Sequence, residues 1–325
     1  MGSMFWTEDS KMKKLLKNIS ESLSIIGRRN GEISDEKTKL KIENLRNNGF
    51  VILDHLVGSS EFLKVKSAIN KKIENEFELQ FPCLAQTKIN PQRDQSLIAN
   101  NFLETDEKLK ELKLTFDKQD IKSYQQMIND FQPTTLTVPM PSDESFFNLW
   151  LDPIVMDIVT GYMGFIPHMT EAYIRRNFPS KYKVMNHNWH RDQNHDKFLV
   201  KAFLFFTDCS LETGAHHYIS ASINDHRFRD KVYYSDEEID DVWPISSPNH
   251  ITSEVPAGTI IIEDTRGLHK AGIPEKMFRD LGFSIFMPPN IFTLTKPLYQ
   301  IDQLTYEKLS GNRQSFVPNK NITRN

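Results

Sequence analysis

Cysteine is nearly missing from this chain: Cys83 and Cys209 are the only two among 325 residues. Such a pair cannot build a disulfide framework, and its scarcity fits a reducing compartment. No apolar run approaches the roughly 18 residues needed to span a bilayer, and the N-terminal stretch lacks the apolar centre of a signal peptide. Neither sign of charge dominates. Forty Lys and Arg stand against 43 Asp and Glu, a net charge of -3, so no global basic surface recommends nucleic acid as a partner. The expectation is a cytoplasmic protein with neither a membrane nor a nucleic-acid partner. Met1-Gly2-Ser3 ahead of Met4 reads as an expression remnant. Without secretion, the sequons Asn18-Ile19-Ser20 and Asn321-Ile322-Thr323 carry no meaning.

What is present, 38% hydrophobic and 26% charged residues, describes a globular chain. Leu15, Leu16, Ile19, Leu23 and Ile26 recur at helical spacing, which predicts an amphipathic helix over 7–29 packed on the domain. Gly49 separates a helix end from a short strand at Phe50–Leu53, and Ser59-Ser60 caps a helix to about Phe77. Residues 80–104, with Pro82 and Pro91, read as a long loop of the kind that forms lids or binding elements. Residues 105–131 read as helical. Ser142-Asp143-Glu144-Ser145 opens a further helix toward Met163, with Pro153 starting a second segment. After Gly164 the character changes to short β-prone runs: Glu171–Phe178, Phe198–Thr207, Gly214–Ser220, Gly258–Glu263 and Arg279–Met287. No repeat and no Pro/Gly/Ser linker divides the chain. The pattern predicts one α+β domain over 1–325, with helices (about 4–165) backing a two-sheet jelly roll (about 166–290) and a C-terminal extension (291–325) whose role the sequence leaves open.

The chemistry concentrates in Trp189-His190-Arg191-Asp192, His269 and Arg279. His-x-Asp with a distant second His is the ligand set of a facial triad. Two imidazoles and a carboxylate hold one face of Fe(II) and leave positions for a co-substrate and dioxygen. In extended backbone His190 and Asp192 project to one side and Arg191 to the other. Arg279, Leu281, Phe283, Ile285 and Met287 share a face that is apolar apart from the arginine, so that face looks inward. A buried guanidinium needs an anion, and the far carboxylate of 2-oxoglutarate has the matching fork geometry. Other readings stay open here. His187, His190 and His195 have the spacing of a local zinc cluster. Of His216 and His217 one must face inward, most simply as a hydrogen-bonded core residue. Lys201 in its apolar strand is either a co-substrate or substrate contact or a side chain reaching the edge. Phe203 and Phe205, on the same face, read as core.

Asn188 to Asp192, the strand Lys201–Asp208, Glu212-Thr213-Gly214 leading to Ser220-Ala221-Ser222, and Asp264 to His269 ending in Arg279 resemble the phytanoyl-CoA dioxygenase (PhyH) family. The similarity spans about residues 40–290. It implies a double-stranded β-helix of jelly-roll, cupin-like form, iron ligands at His190, Asp192 and His269, and a 2-oxoglutarate anchor at Arg279. Two departures stand out: Ala221-Ser222-Ile223 where many relatives read Gly-Ser-His, and Ala271 where many carry Ser or Thr. The second removes a hydroxyl contact to 2-oxoglutarate. Tyr173, Arg175 and Asn177 share a face on the preceding strand. By similarity to ectoine-hydroxylase-like members, Asn177 is a co-substrate contact, and Arg175 and Tyr173 are substrate contacts. The competing reading makes Arg175 and Arg176 surface or structural ion-pair partners.

The implied activity is an Fe(II)- and 2-oxoglutarate-dependent oxygenase, using O2 to hydroxylate a small molecule with release of succinate and CO2. Related halogenases carry Gly or Ala where this chain has Asp192, which argues against halogenation; desaturation or ring closure stays open. Arg175 points to an anionic group on the substrate. The rivals are a cupin-like metal enzyme that does not use 2-oxoglutarate and a non-catalytic binding protein on the same scaffold. The substrate and the oligomeric state are not legible.

Overall fold

A computed structural model of the chain describes residues 35–75, 84–85, 123–125, 135–179, 185–192, 199–289 and 299–323. The predicted helix over 7–29, almost all of that over 105–131, and His195 lie outside the described residues. Helix α1 (Glu36–Asn48) begins where the Asp35 carboxylate accepts from the Thr38 amide at 3.0 Å. It ends at Gly49, in the left-handed region at φ 84°. A Cβ on Gly49 would also lie 2.0 Å from the Tyr218 hydroxyl, so the stop and the close packing both demand glycine. Strand β1 (Phe50–Leu53) follows directly. Helix α2 (Ser60–Asn75) starts with Ser59 Oγ accepting from the Phe62 amide, close to the expected span. Asp143 caps α3 (Glu144–Trp150), and Asp152 caps α4 (Pro153–Met163), whose first residue is the expected proline.

The β-rich half forms two antiparallel sheets. The large one has the order β1, β10 (Ile260–Asp264), β6 (Val200–Phe205), β12 (Arg279–Met287), β4 (His168–Asn177), β3 (Thr135–Pro139), β2 (Leu84–Ala85). The small one has the order β8 (Tyr233–Tyr234), β5 (Trp189–His190), β11 (His269–Ala271), β7 (His216–Ile219), β9 (His250–Thr252). From β4 to β12 the chain passes repeatedly between the two sheets. This is a double-stranded β-helix backed by helices, as expected. One expectation is corrected: Leu84–Ala85, read as loop, pairs with β3 at the edge of the large sheet. Strand β3 itself was not anticipated, since Pro133, Pro139 and Pro141 punctuate that stretch.

Helices α1 to α4 cover the outer face of the large sheet. Leu45, Phe62, Val65, Ile69, Phe147 and Ile158 meet Val51, Ala172, Ile174, Leu204, Ile262 and Phe286 there, all buried. Burial of each large side chain contributes roughly 1.5–3 kcal/mol. Phe206 stacks between Phe62 (5.6 Å) and Trp150 (5.5 Å). The C-terminal extension belongs to this core: Tyr299, Ile301, Leu309, Phe316 and Val317 are buried in it. Asn321 is fully buried there, so its sequon offers no accessible acceptor. A separate cluster (Trp189, Ile219, Tyr234, Ile239, Trp243, Leu268) covers the outside of the small sheet.

Candidate functional site

Cross-strand register lays the inner face of the large sheet out in rows. One row reads Glu171, Ile285, Lys201, Glu263; the next Tyr173, Phe283, Phe203, Ile261; the next Arg175, Leu281, Phe205; and the last pairs Asn177 with Arg279. The predicted sharing of faces on β4 and β12 is thus observed, and the face is the inner one.

Opposite these rows, β5 and β11 meet in the register pair His190 with His269, whose rings lie 4.2 Å apart. Ligand atoms of His190, Asp192 and His269 all lie within 4.8 Å of one another. The tautomers follow from the partners. His190 Nδ1 lies 2.9 Å from the Asn188 carbonyl and His269 Nδ1 lies 3.0 Å from the Gly267 carbonyl. A carbonyl only accepts, so each Nδ1 carries the hydrogen and each Nε2 offers a lone pair. Burial holds both imidazoles below their usual pKa, which keeps them neutral. Burial alone would push Asp192 up. The ammonium of Lys201, then His269 and His190, outweighs it and holds the carboxyl well below its usual range. Lys201 Nζ lies 2.6 Å from Asp192 Oδ2, and this close contact is ionic in character rather than a well-aligned hydrogen bond.

Arg191 points to the other side, as expected. It donates to the carbonyls of Arg266 (2.7 Å), Ser222 (2.8 Å) and Phe228 (3.2 Å) and so braces the segment carrying His190 and Asp192 against two loops. Burial brings its pKa down to about 10.

Arg279 is fully buried, and its Nε and Nη1 have no hydrogen-bond partner. Asn177 Oδ1, beside it in register, has none either. Tyr173 stacks on Phe283 at 4.9 Å, and the Arg175 guanidinium lies over both rings, 5.5 and 5.0 Å from their centroids. The two neighbouring arginines separate. Arg176 is structural: it faces the helices, where Asp280 grips it through Nε (2.7 Å) and Nη2 (2.6 Å) and Glu74 adds 2.9 Å. Arg175 faces the interior with the other candidate residues. His187 is not among the described residues grouped around a metal-sized point, which are His190, Asp192 and His269 alone. His216 faces inward and bonds Glu263 at 2.9 Å; His217 faces outward toward His250 at 3.1 Å. Sequence reasoning missed the Glu263–His216 pair, although the carboxylates Glu263-Asp264 directly after Ile260-Ile261-Ile262 were its visible signal.

No protein-family profile matches the chain, and no curated protein matches it by sequence. Among solved structures, it is similar to the carbocyclase SnoK from nogalamycin biosynthesis, described as non-heme and alpha-ketoglutarate dependent. Identity there is 14%, coverage 79% of this chain and 85% of that one, and the TM-score 0.46. HygX from Streptomyces hygroscopicus, with nickel and 2-oxoglutarate bound, is similar at 14% identity, 81% and 90% coverage, and a TM-score of 0.47. EctD from S. alaskensis, with 2-oxoglutarate and 5-hydroxyectoine, is similar at 12% identity, 81% and 80% coverage, and a TM-score of 0.45. Among the described residues no helix is long and apolar enough to cross a membrane.

Proposed function

We propose that this chain is an Fe(II)- and 2-oxoglutarate-dependent oxygenase that uses O2 to hydroxylate a small-molecule metabolite, with release of succinate and CO2. The observation that carries this reading is the conjunction, inside one β-helix, of a two-His, one-carboxylate face with a buried guanidinium whose Nε and Nη1 have no partner. The donor set fits the metal: two neutral Nε2 lone pairs and one ionised carboxylate suit Fe(II) with open positions. The interior fits the co-substrate: Arg279 offers two parallel donors to a carboxylate and Asn177 lies beside it. Between the row of Lys201, which reaches Asp192, and the pair Asn177–Arg279 lie the aromatic row of Tyr173, Phe283 and Phe203 and the row of Arg175, Leu281 and Phe205.

In this reading His190, Asp192 and His269 hold the iron, Arg279 with Asn177 takes the far carboxylate, and Arg175 with Tyr173 faces the substrate. Bound iron supplies the redox chemistry by which 2-oxoglutarate and O2 become succinate and CO2 while a substrate C–H bond is oxidised. The protein keeps both imidazoles unprotonated by burial, keeps Asp192 charged beside Lys201, and holds Arg175 over two aromatic faces, where it can receive an anionic substrate group. Asp192 fills the carboxylate position, which favours hydroxylation over halogenation.

The test needs no knowledge of the substrate. Anaerobic addition of 2-oxoglutarate to the Fe(II)-loaded protein is expected to give a visible charge-transfer band, and admission of O2 a slow release of succinate. Folded, iron-loaded protein that shows neither would overturn the reading in favour of a cupin-like enzyme without 2-oxoglutarate. Folded protein that takes up no iron would favour a non-catalytic binding protein.

A further inference from the structure

We propose that Lys201 is a positioning residue for the metal centre, holding the Asp192 carboxylate in the orientation that faces His190 and His269. This rests on the metal-centre reading above and adds to it a group that acts through Asp192 rather than on the metal.

The geometry begins with where Asp192 stands. It lies two residues beyond His190, past the end of the two-residue strand β5, and its backbone amide is tied to the Thr265 carbonyl at 2.9 Å. That bond fixes the backbone and leaves the side-chain torsions to be set by another group. Lys201 comes from the opposite sheet. Its Nζ is 2.6 Å from Asp192 Oδ2, the same oxygen that lies 3.9 Å from His269 Nε2. One ammonium therefore aims one carboxylate oxygen at one imidazole lone pair.

The neighbours of Lys201 show why it serves Asp192 in particular. In its cross-strand row, Ile285 on one side is apolar and Glu263 on the other is engaged by His216 at 2.9 Å; Glu171, one strand beyond Ile285, also feels the ammonium, but the carboxylate Lys201 contacts at 2.6 Å is that of Asp192. Lys201 and Glu263 thus each send one polar contact across from the large sheet, Lys201 to the segment after β5 and Glu263 to β7, on either side of His269. Asp192 Oδ2 approaches that ring directly, and the His216 ring stands 5.7 Å from it. A lysine suits the task. Its ammonium is a compact charge that can occupy one lone pair of a carboxylate oxygen and leave the others for a metal. In this partly enclosed site the attraction is weakly screened. Burial lowers the lysine's pKa most strongly, and Asp192 together with Tyr173 more than offsets it, so the net shift is upward.

Partners of metal-ligating carboxylates typically change metal affinity by about 10–100-fold when removed. The experiment is a Co(II) titration of the full chain, without 2-oxoglutarate, for wild type, Lys201→Met, Lys201→Arg, Asp192→Asn and the double variant Lys201→Met/Asp192→Asn. Expected are a 10–100-fold loss of affinity in Lys201→Met, a shifted Co(II) visible spectrum at saturation, and partial rescue by Lys201→Arg. In the Asp192→Asn background, Lys201→Met is expected to add nothing, because a residue acting through Asp192 has no further route. At saturating Co(II), 2-oxoglutarate affinity is expected to match wild type within about twofold. Unchanged or tighter metal binding in Lys201→Met overturns the proposal, as does a loss that persists undiminished in the Asp192→Asn background. A selective loss of 2-oxoglutarate affinity also overturns it, by making Lys201 a co-substrate contact. Wild type that binds no Co(II) removes the metal-centre reading itself, and that failure is visible before any variant is compared.

Discussion

Two fully buried arginines lie one register step apart and meet opposite fates. Arg176-Asn177 on β4 pairs with Arg279-Asp280 on β12, Arg176 facing Asp280 and Asn177 facing Arg279. Because side chains alternate, Arg176 and Asp280 point toward the helices, and Asn177 and Arg279 point between the sheets. On the helix side the guanidinium is gripped by Asp280 and Glu74 and reached by the Tyr124 hydroxyl and Asn70. On the inner side the guanidinium has two nitrogens without any partner. Residue type, burial and strand pair are the same. The difference lies in the partner set, and it separates a charge paired within the fold from one left with unpartnered nitrogens, which under the proposed function would receive a carboxylate from outside.

That contrast can be broken from either side. The largest effect is expected on the helix face. Asp280→Ala leaves Arg176 buried with its bidentate partner gone and should cost about 3–5 kcal/mol of stability, read by urea unfolding at pH 7. The mirror change inside should behave in the opposite sense. Arg279→Met removes a buried charge that no carboxylate pairs, so stability should hold or rise by up to about 1 kcal/mol. In the same variant, 2-oxoglutarate affinity should fall about 100-fold with metal affinity unchanged, measured by calorimetry on the metal-loaded protein. Arg279→Lys should recover part of that loss by restoring charge without the fork. Equal destabilisation by both variants would erase the distinction.

A smaller effect sharpens the comparison with a third response to burial, in which a basic group discharges instead of pairing. His217, behind the small sheet, is held down to about 3, chiefly by burial and then by Lys270. The unfolded chain protonates it near 6.5, whereas the folded chain does so only near 3. Its contribution to stability is therefore complete above about pH 6.5 and is lost as pH falls toward 3. Between pH 6.5 and 5 the loss should be about 2 kcal/mol, and His217→Phe should flatten that part of the curve relative to wild type. Parallel curves for the two proteins would mean that His217 is not the group responsible.

The parts of this molecule legible in sequence were those in which a single residue type is required at a single spacing. His-x-Asp, the distant histidine and the lone arginine on an apolar strand face are of this kind, and the structure brings His190, Asp192 and His269 together. Alternation also showed which residues of β4 share a face. It could not say which face is inner, because adjacent Arg175 and Arg176 look alike until a sheet closes over one of them. Strands of two or three residues, such as β5, β8 and β11, contain too little of a period to be seen. The Lys201–Asp192 and Glu263–His216 contacts join different sheets, and nothing local in the chain encodes their meeting. Strand β3 was hidden by its flanking prolines, which ordinarily argue against a strand but are tolerated at a sheet margin.

The pairing of β5 with β11 rests on the single aligned couple His190 and His269. Sliding β11 by one residue would set Leu268 or Lys270 opposite His190 and turn the His269 ring to the outside of the sheet. The cluster that could receive a metal exists in that alignment and in neither of its neighbours. Ion capture at these residues would accordingly be a digital report on folding: one correct strand registration, read out as the presence or absence of a coordination face.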